Sequence, residues 1–263
     1  MLSKGRVARR VKSEMQTRSS LGVWRTDGVL ESSAVSKAKK GVFYPASKGN
    51  ISCSLARLLG VYSCSNMSPL SSLPNFVSEN YEVREWKHAS AILQTDFPEE
   101  YADILDVLTG FRLPKSHLVV GGGGKSKVSQ ALERPLLARG WKEKSWSTKI
   151  VVDNVSKDSP THKVDCFKNR VALEIEWSNK DPFYDRDLNN FRLLFDLRVI
   201  SVGIIITKAD ELRSVLTELG IWSKSGTSTT WMSKLLPRIE GGGGGGCPIL
   251  AFGIKRNLYL PEG

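Results

Sequence analysis

The chain has 263 residues, 40% apolar and 25% charged, the composition of a soluble globular protein with room for one large domain or a domain with an extension. No run of about 20 apolar residues is present, so no membrane span is expected; four scattered cysteines (Cys53, Cys64, Cys166, Cys247) and three isolated histidines (His88, His117, His162) argue against zinc and for free thiols in a reducing compartment. The net charge of +11 is uneven: residues 1–80 carry +8 (12 Lys and Arg against 4 Asp and Glu) and residues 81–263 only +3, so basicity supports nucleic-acid binding by the main part of the chain only weakly.

Residues 1–80 read as an extension. Arg6, Arg9, Arg10, Lys12 and Arg18 cluster first, serines dominate later, and apolar periodicity is confined to Leu55, Leu58 and Leu59. Such a composition buries too little apolar surface to offset ordering entropy. A basic arm on phosphates, an organellar transit peptide and a misassigned start codon all fit it; a poorly ordered segment fits best.

From Tyr81 the pattern sharpens. Residues 81–86 suit a strand, 88–93 a short helix or loop, and Pro98 opens a helix with acids in its first turn and an apolar stripe of Tyr101, Ile104, Leu105 and Leu108, stopped at Gly110. The run Gly121 to Ser126 imitates a phosphate loop, but the glycine that loop requires five positions before the Gly-Lys pair is Val119. A glycine turn entering a helix capped by Ser126, ending near Gly140, is the better reading. Residues 150–153 suit a strand and 154–162 turns.

Residues 163–180 form the most informative stretch. They read as two short strands around a polar turn at Lys168-Asn169. With that turn Asp165 pairs with Ala172 and lies diagonally from Glu174; alternation puts Asp165, Ala172, Glu174 and Glu176 on one face and Leu173, Ile175 and Trp177 on the other. Two readings fit three acids on one face: a solvated edge hairpin, or a site for Mg2+, which takes oxygen ligands from one or two carboxylates. Beyond the polar exit loop, a helix is expected over 186–197 and a doubly buried strand over 200–207, linked to the acid-bearing strand by a β-helix-β crossover. A helix over 210–219, a hydroxyl cluster at 227–230, a short helix over 232–236, a glycine loop at 241–246 and a last strand over 248–254 complete an α/β domain with a mixed sheet covered by helices.

The string Val-Asp-x-x-x-x-x-x-Ala-x-Glu-Ile-Glu-Trp followed by Ser-Asn-Lys-Asp-Pro-Phe-Tyr-Asp-Arg-Asp-Leu closely resembles the BglII/BstYI-like type II restriction endonucleases. The runs at 122–126, 140–143, 200–207, 228–231 and 245–250 resemble the same family in the same order, so the resemblance spans residues 81–263 and leaves 1–80 outside.

The resemblance implies a restriction-endonuclease-like PD-(D/E)xK core. Asp165 and Glu174 match the family's metal-binding acids. Glu176 stands where a lysine is common, which leaves the proton acceptor open between Glu176 and a metal-bound hydroxide. Glu143 is a candidate for a further upstream acid, and a surface acid is the alternative. Ser178 and Asn179 lie where relatives contact bases, and Asn suits adenine; a plain turn pair is the other reading. Lys180, Thr229 and Thr230 are candidates for DNA contact, with a solvated loop lysine and helix capping as their alternatives. The implied activity is a Mg2+-dependent, homodimeric type II restriction endonuclease cutting both strands of a palindromic DNA site, GATC-centred in several relatives. It would be a cytoplasmic enzyme of a prokaryotic cell, accompanied by a cognate DNA methyltransferase. The rivals are a repair or nicking nuclease of the same fold and a non-catalytic DNA-binding protein.

Overall fold

The computed structural model of the protein describes residues 69–119, 124–159 and 161–261. Most of the expected extension, with Cys53 and Cys64, lies outside the described residues, as do the first three glycines of the 121–124 run. The end of that extension belongs to the fold. A turn at Pro69–Ser72 leads into α1 (Asn75–Asn80), and Leu73 and Val77 are buried in the core, so the folded unit starts before the expected boundary at Tyr81.

β1 (Tyr81–Trp86), α2 (Ala89–Asp96) and α3 (Pro98–Gly110) follow. Pro98 occupies the first turn of α3, where its missing N–H removes no hydrogen bond, and Glu99 and Glu100 suit the positive end of the helix. After β2 (Leu113–Pro114) and α4 (Lys115–Leu118) comes α5 (Lys127–Ala138), whose N-cap Ser126 accepts the Ser129 amide at 2.9 Å. β3 (Lys142–Lys144), β4 (Lys149–Val152) and β5 (Val155–Asp158) are short. β4 and β5 form a separate hairpin turning at Asp153-Asn154, both at positive φ, so the stretch expected as turns alone contains a strand.

β6 (Val164–Lys168) and β7 (Val171–Ile175) are the acid-bearing hairpin. α6 (Phe183–Asp196) starts three residues ahead of the expected position, β8 (Val202–Lys208) is buried along its whole length, and α7 (Leu212–Glu218), α8 (Trp222–Ser225) and α9 (Met232–Glu240) precede β9 (Ile249–Ile254) and β10 (Tyr259–Leu260).

The main sheet has the order β1-β9-β8-β7-β6-β3. β7, β8 and β9 run parallel, and β1, β6 and β3 are antiparallel to their neighbours, giving the mixed sheet expected. The β7-α6-β8 crossover is present as read. Residues of α2, α3, α5 and α7 cover one face around Leu173, Ile204 and Phe252, and α6 and α9 cover the other around Ala172, Ile205 and Ala251. Parallel strands covered on both faces account for the unbroken Ile204-Ile205-Ile206 run, where alternation would mark a one-sided sheet.

Gly203 shows how closely α6 lies on the sheet. A Cβ at this position would stand 2.4 Å from the Phe191 ring. Gly203→Ala should therefore destabilise by about 1–3 kcal/mol through overpacking, read as a lower urea midpoint at unchanged slope. An unchanged midpoint would show that α6 yields freely.

Candidate active site

The β6–β7 turn consists of Asn169 and Arg170, at φ 42° and 70°, as a two-residue hairpin of matching twist requires. The expected turn at Lys168-Asn169 was one residue early. Lys168 pairs with Val171, Phe167 with Ala172 and Cys166 with Leu173, and just beyond this ladder Asp165 lies beside Glu174. The pairing shift is two residues, which keeps Ala172 and Leu173 on opposite faces as predicted and brings the two acids into contact; strict alternation ends at Val164, which packs with Ala172 and not with Cys166. The backbone ties them together: the Asp165 amide donates to Glu174 Oε2 at 3.2 Å, and the Ile175 amide to Asp165 Oδ2 at 3.0 Å.

These acids are buried to different depths. Glu174 and Glu176 are 2% and 1% exposed, while the Asp165 side chain keeps 23% of its surface. Asp187, fully buried on α6, joins them from the covering helix. Glu176 Oε1 accepts from the Asn179 side-chain amide at 2.9 Å, and Asp187 Oδ1 from Arg186 at 2.7 Å. Glu174 Oε1 is buried without a partner, and Glu176 Oε2 and Asp187 Oδ2 are buried with no donor beyond a proton that these two facing carboxyls can share. Burial first, then the charges of Asp187 and Asp165, raises the Glu174 acid well above its ordinary range. Burial and the facing Asp187 carboxyl push Glu176 up to about 8, and burial raises Asp187 despite Arg186.

One cation reaches into the group from elsewhere in the chain. Lys125, just ahead of α5, places Nζ 3.2 Å from Asp165 Oδ1 and 2.5 Å from Oε1 of Glu133, a buried acid two turns along α5. Burial opposes its charge, but the bonds to Glu133 and the charge of Asp165 outweigh it and hold the ammonium above its usual value. Asp165, Lys125, Ser178, Asn179, His162 and Arg186 all line a cleft of about 310 Å³. Glu143 lines it too, but it is exposed and pairs with Lys163 at 3.1 Å; the acid drawn to the centre from upstream is Glu133.

On the loop leaving β7, where the sequence suggested DNA contacts, Ser178 is exposed and Asn179 half-buried, both lining the cleft, and Lys180 is exposed just beyond them. Thr229 and Thr230 correct the expectation. Both are buried behind this loop: the Thr230 hydroxyl donates to the Glu176 carbonyl at 3.1 Å and that of Thr229 to the Ser225 carbonyl at 2.8 Å. Neither faces the cleft nor caps α9, whose N-cap is Trp231; they brace the exit loop, with Lys180 bridging to Thr229 through the backbone. Lys208, wholly buried at the end of β8, adds a second brace. Its ammonium donates to the Trp177 carbonyl and lies 5.0 Å from the ring centres of Trp177 and Trp231, and burial lowers it to about 7.

Asp187 carried a legible signal that the sequence reading passed over: it occupies the apolar stripe of α6 with Tyr184, Leu188, Phe191 and Leu194, where an acid has no packing reason to stand. Lys125 lies in the 122–126 run already noted for its resemblance, but nothing in the sequence joined it to Asp165, forty positions away.

Among the described residues no group of three or more His, Cys, Asp and Glu side chains converges as a ready-made metal cage. Mg2+ needs less: one or two carboxylates suffice, with water and phosphate completing the shell. The adjacent pair Asp165 and Glu174, with the unpartnered Glu174 Oε1, fits that requirement.

A family model described as Restriction endonuclease BglII/BglIII matches residues 81–254, a span holding every one of these groups. No curated protein matches the chain.

Proposed function

The chain belongs to the BglII/BglIII family of restriction endonucleases, site-specific nucleases acting on DNA, and from that premise we propose that it is a Mg2+-dependent type II enzyme cutting both strands of a short palindromic site. The observation that carries the proposal is the adjacent pair Asp165, which lines the cleft, and Glu174, buried beside it with a carboxylate oxygen lacking any partner. Bound there, Mg2+ would supply Lewis acidity to the scissile phosphate, the attacking water and the leaving oxygen.

The chain's own groups do the rest. Asp165 and Glu174 hold the cation. Glu176, fixed by Asn179, orients the attacking water, or takes up its proton in the ionised form that a bound cation would favour. Without the cation, burial and Asp187 push it up to about 8 and it is mainly protonated near neutral pH. Ser178 and Asn179 meet base edges and Lys180 a phosphate, on a loop stiffened from behind by Thr229, Thr230 and Lys208. Reading a palindrome calls for a two-fold symmetric homodimer. A GATC-centred site, a partner methyltransferase and a cytoplasmic location are part of the same reading. Among the described residues no helix is long and apolar enough to cross a membrane.

Digestion of supercoiled plasmid in Mg2+, with the ends sequenced, tests it. Discrete linear fragments with one common end sequence are expected. Nicked circles alone would favour the repair or nicking alternative, and DNA bound but uncut in Mg2+ would favour a binding protein.

A further inference from the structure

We propose that Lys125 supplies the cationic function that the third motif position, occupied by Glu176, lacks: it neutralises Asp165 in the metal-free protein and turns to the scissile phosphate when a divalent cation enters. The inference rests on the nuclease reading above for its second half and on the geometry alone for its first.

The lysine is held on a stiff mount. Ser126, the next residue, caps α5 through the Ser129 amide, and the Lys125 carbonyl accepts from the Gln130 side chain at 2.8 Å. The ammonium is a third exposed and bridges two acids of unlike exposure. Glu133 is buried on the helix that carries the lysine, while Asp165 belongs to the cleft. A divalent cation binding Asp165 repels the ammonium from Oδ1, and Glu133 keeps it within a side chain's length. A scissile phosphate held by that cation would then offer the ammonium an anion in place of Asp165. Lysine suits such a move because its three donors rotate on a flexible stem, so it can exchange Asp165 for phosphate without leaving Glu133.

The other cations near the cleft are engaged differently. Arg186 is bound through Nε and Nη2 to Asp187, Lys163 pairs with exposed Glu143, and Lys208 is sealed behind the exit loop. Among the described residues Lys125 is the one paired with Asp165.

The test has two arms on the full chain. In the first, Ca2+ is titrated into DNA-free protein by calorimetry. Lys125→Met and Lys125→Gln should bind about tenfold more tightly, because a competing charge beside the ligand is gone, and Lys125→Arg should stay close to wild type. In the second, single-turnover cleavage in Mg2+ should fall by about a hundredfold or more in Met and Gln variants, with DNA affinity in Ca2+ changed only a few-fold and partial rescue by Arg. Using two neutral variants guards against one that fails to fold. Unchanged Ca2+ affinity in the neutral variants overturns the counter-ion role. Wild-type cleavage in the same variants overturns the phosphate role. A wild-type chain that cuts no DNA would instead sink the nuclease reading, and the Ca2+ arm would still decide the first half.

Discussion

Glu174→Gln should abolish cleavage and at the same time stabilise the metal-free protein. The two effects come from one atom group. Glu174 is 2% exposed with Oε1 unpartnered, faces Asp165 and Asp187, and has its acid raised well above the ordinary range. Near pH 8 an unfolded glutamate is ionised, so folding must either bury that charge or bind a proton, and both are unfavourable. Glutamine removes the penalty while keeping the shape, worth about 1–3 kcal/mol, or several degrees in melting temperature at this chain length. It also removes one of the two proposed metal ligands, so cleavage should fall by about a thousandfold or more. Asp165→Ala should cost as much activity but stabilise nothing, because Asp165 accepts the Ile175 amide and pairs with Lys125, and both would lose their partner. Single-turnover cleavage and thermal melts in EDTA read the contrast, with DNA affinity in Ca2+ expected to persist. Cleavage within tenfold of wild type in either variant would remove that residue from the metal site.

The contrast also shows what a sequence can and cannot carry. The faces of the hairpin were legible because side-chain alternation survives any even shift in pairing: placing the turn at Lys168-Asn169 left Glu174 and Glu176 on their proper face. The depth of burial was not legible. It comes from α6 lying on the sheet close enough to require Gly203, and this carries Asp187 to the acids. Thr230 was a candidate for DNA contact or helix capping, yet it hydrogen-bonds a main-chain carbonyl within the wall, as does Lys208. A hydroxyl or an amine in a sequence does not say whether it faces substrate or replaces a missing backbone partner. The exposed β4–β5 hairpin, with Ile150, Val151, Val152 and Val155 all open, is the reverse case: an apolar run that reads as core and lies outside it.

Buried acids on this scale also fix how stability depends on pH, and the metal should reverse the trend. Glu174, Glu176 and Asp187 all have folded-state acid ranges raised above their unfolded values. A raised value means the folded protein holds protons that the unfolded chain has released. The contribution is therefore complete below the unfolded value and is lost as pH rises through the folded one. For Glu176, pushed up to about 8, each pH unit inside the window costs about 1.4 kcal/mol, on the order of 4–5 kcal/mol across it. Lys208 acts oppositely higher up: lowered to about 7, it binds fewer protons folded than unfolded above that point, so there it adds stability as pH rises. Between about pH 5 and 7 the carboxylate effect is free of Lys208 and is opposed only by His117 and His162, both lowered by burial, so the comparison with the Glu176 variant isolates it. In EDTA the wild-type urea midpoint should fall across this interval, and Glu176→Gln should flatten much of the slope. Mg2+ binds ionised carboxylates and displaces their protons, so the stabilisation it adds should be larger near pH 7 than near pH 5.5. A metal-free midpoint that rises with pH, together with a Mg2+ increment independent of pH, would mean that these acids are ionised in the folded chain and already neutralised by its own cations.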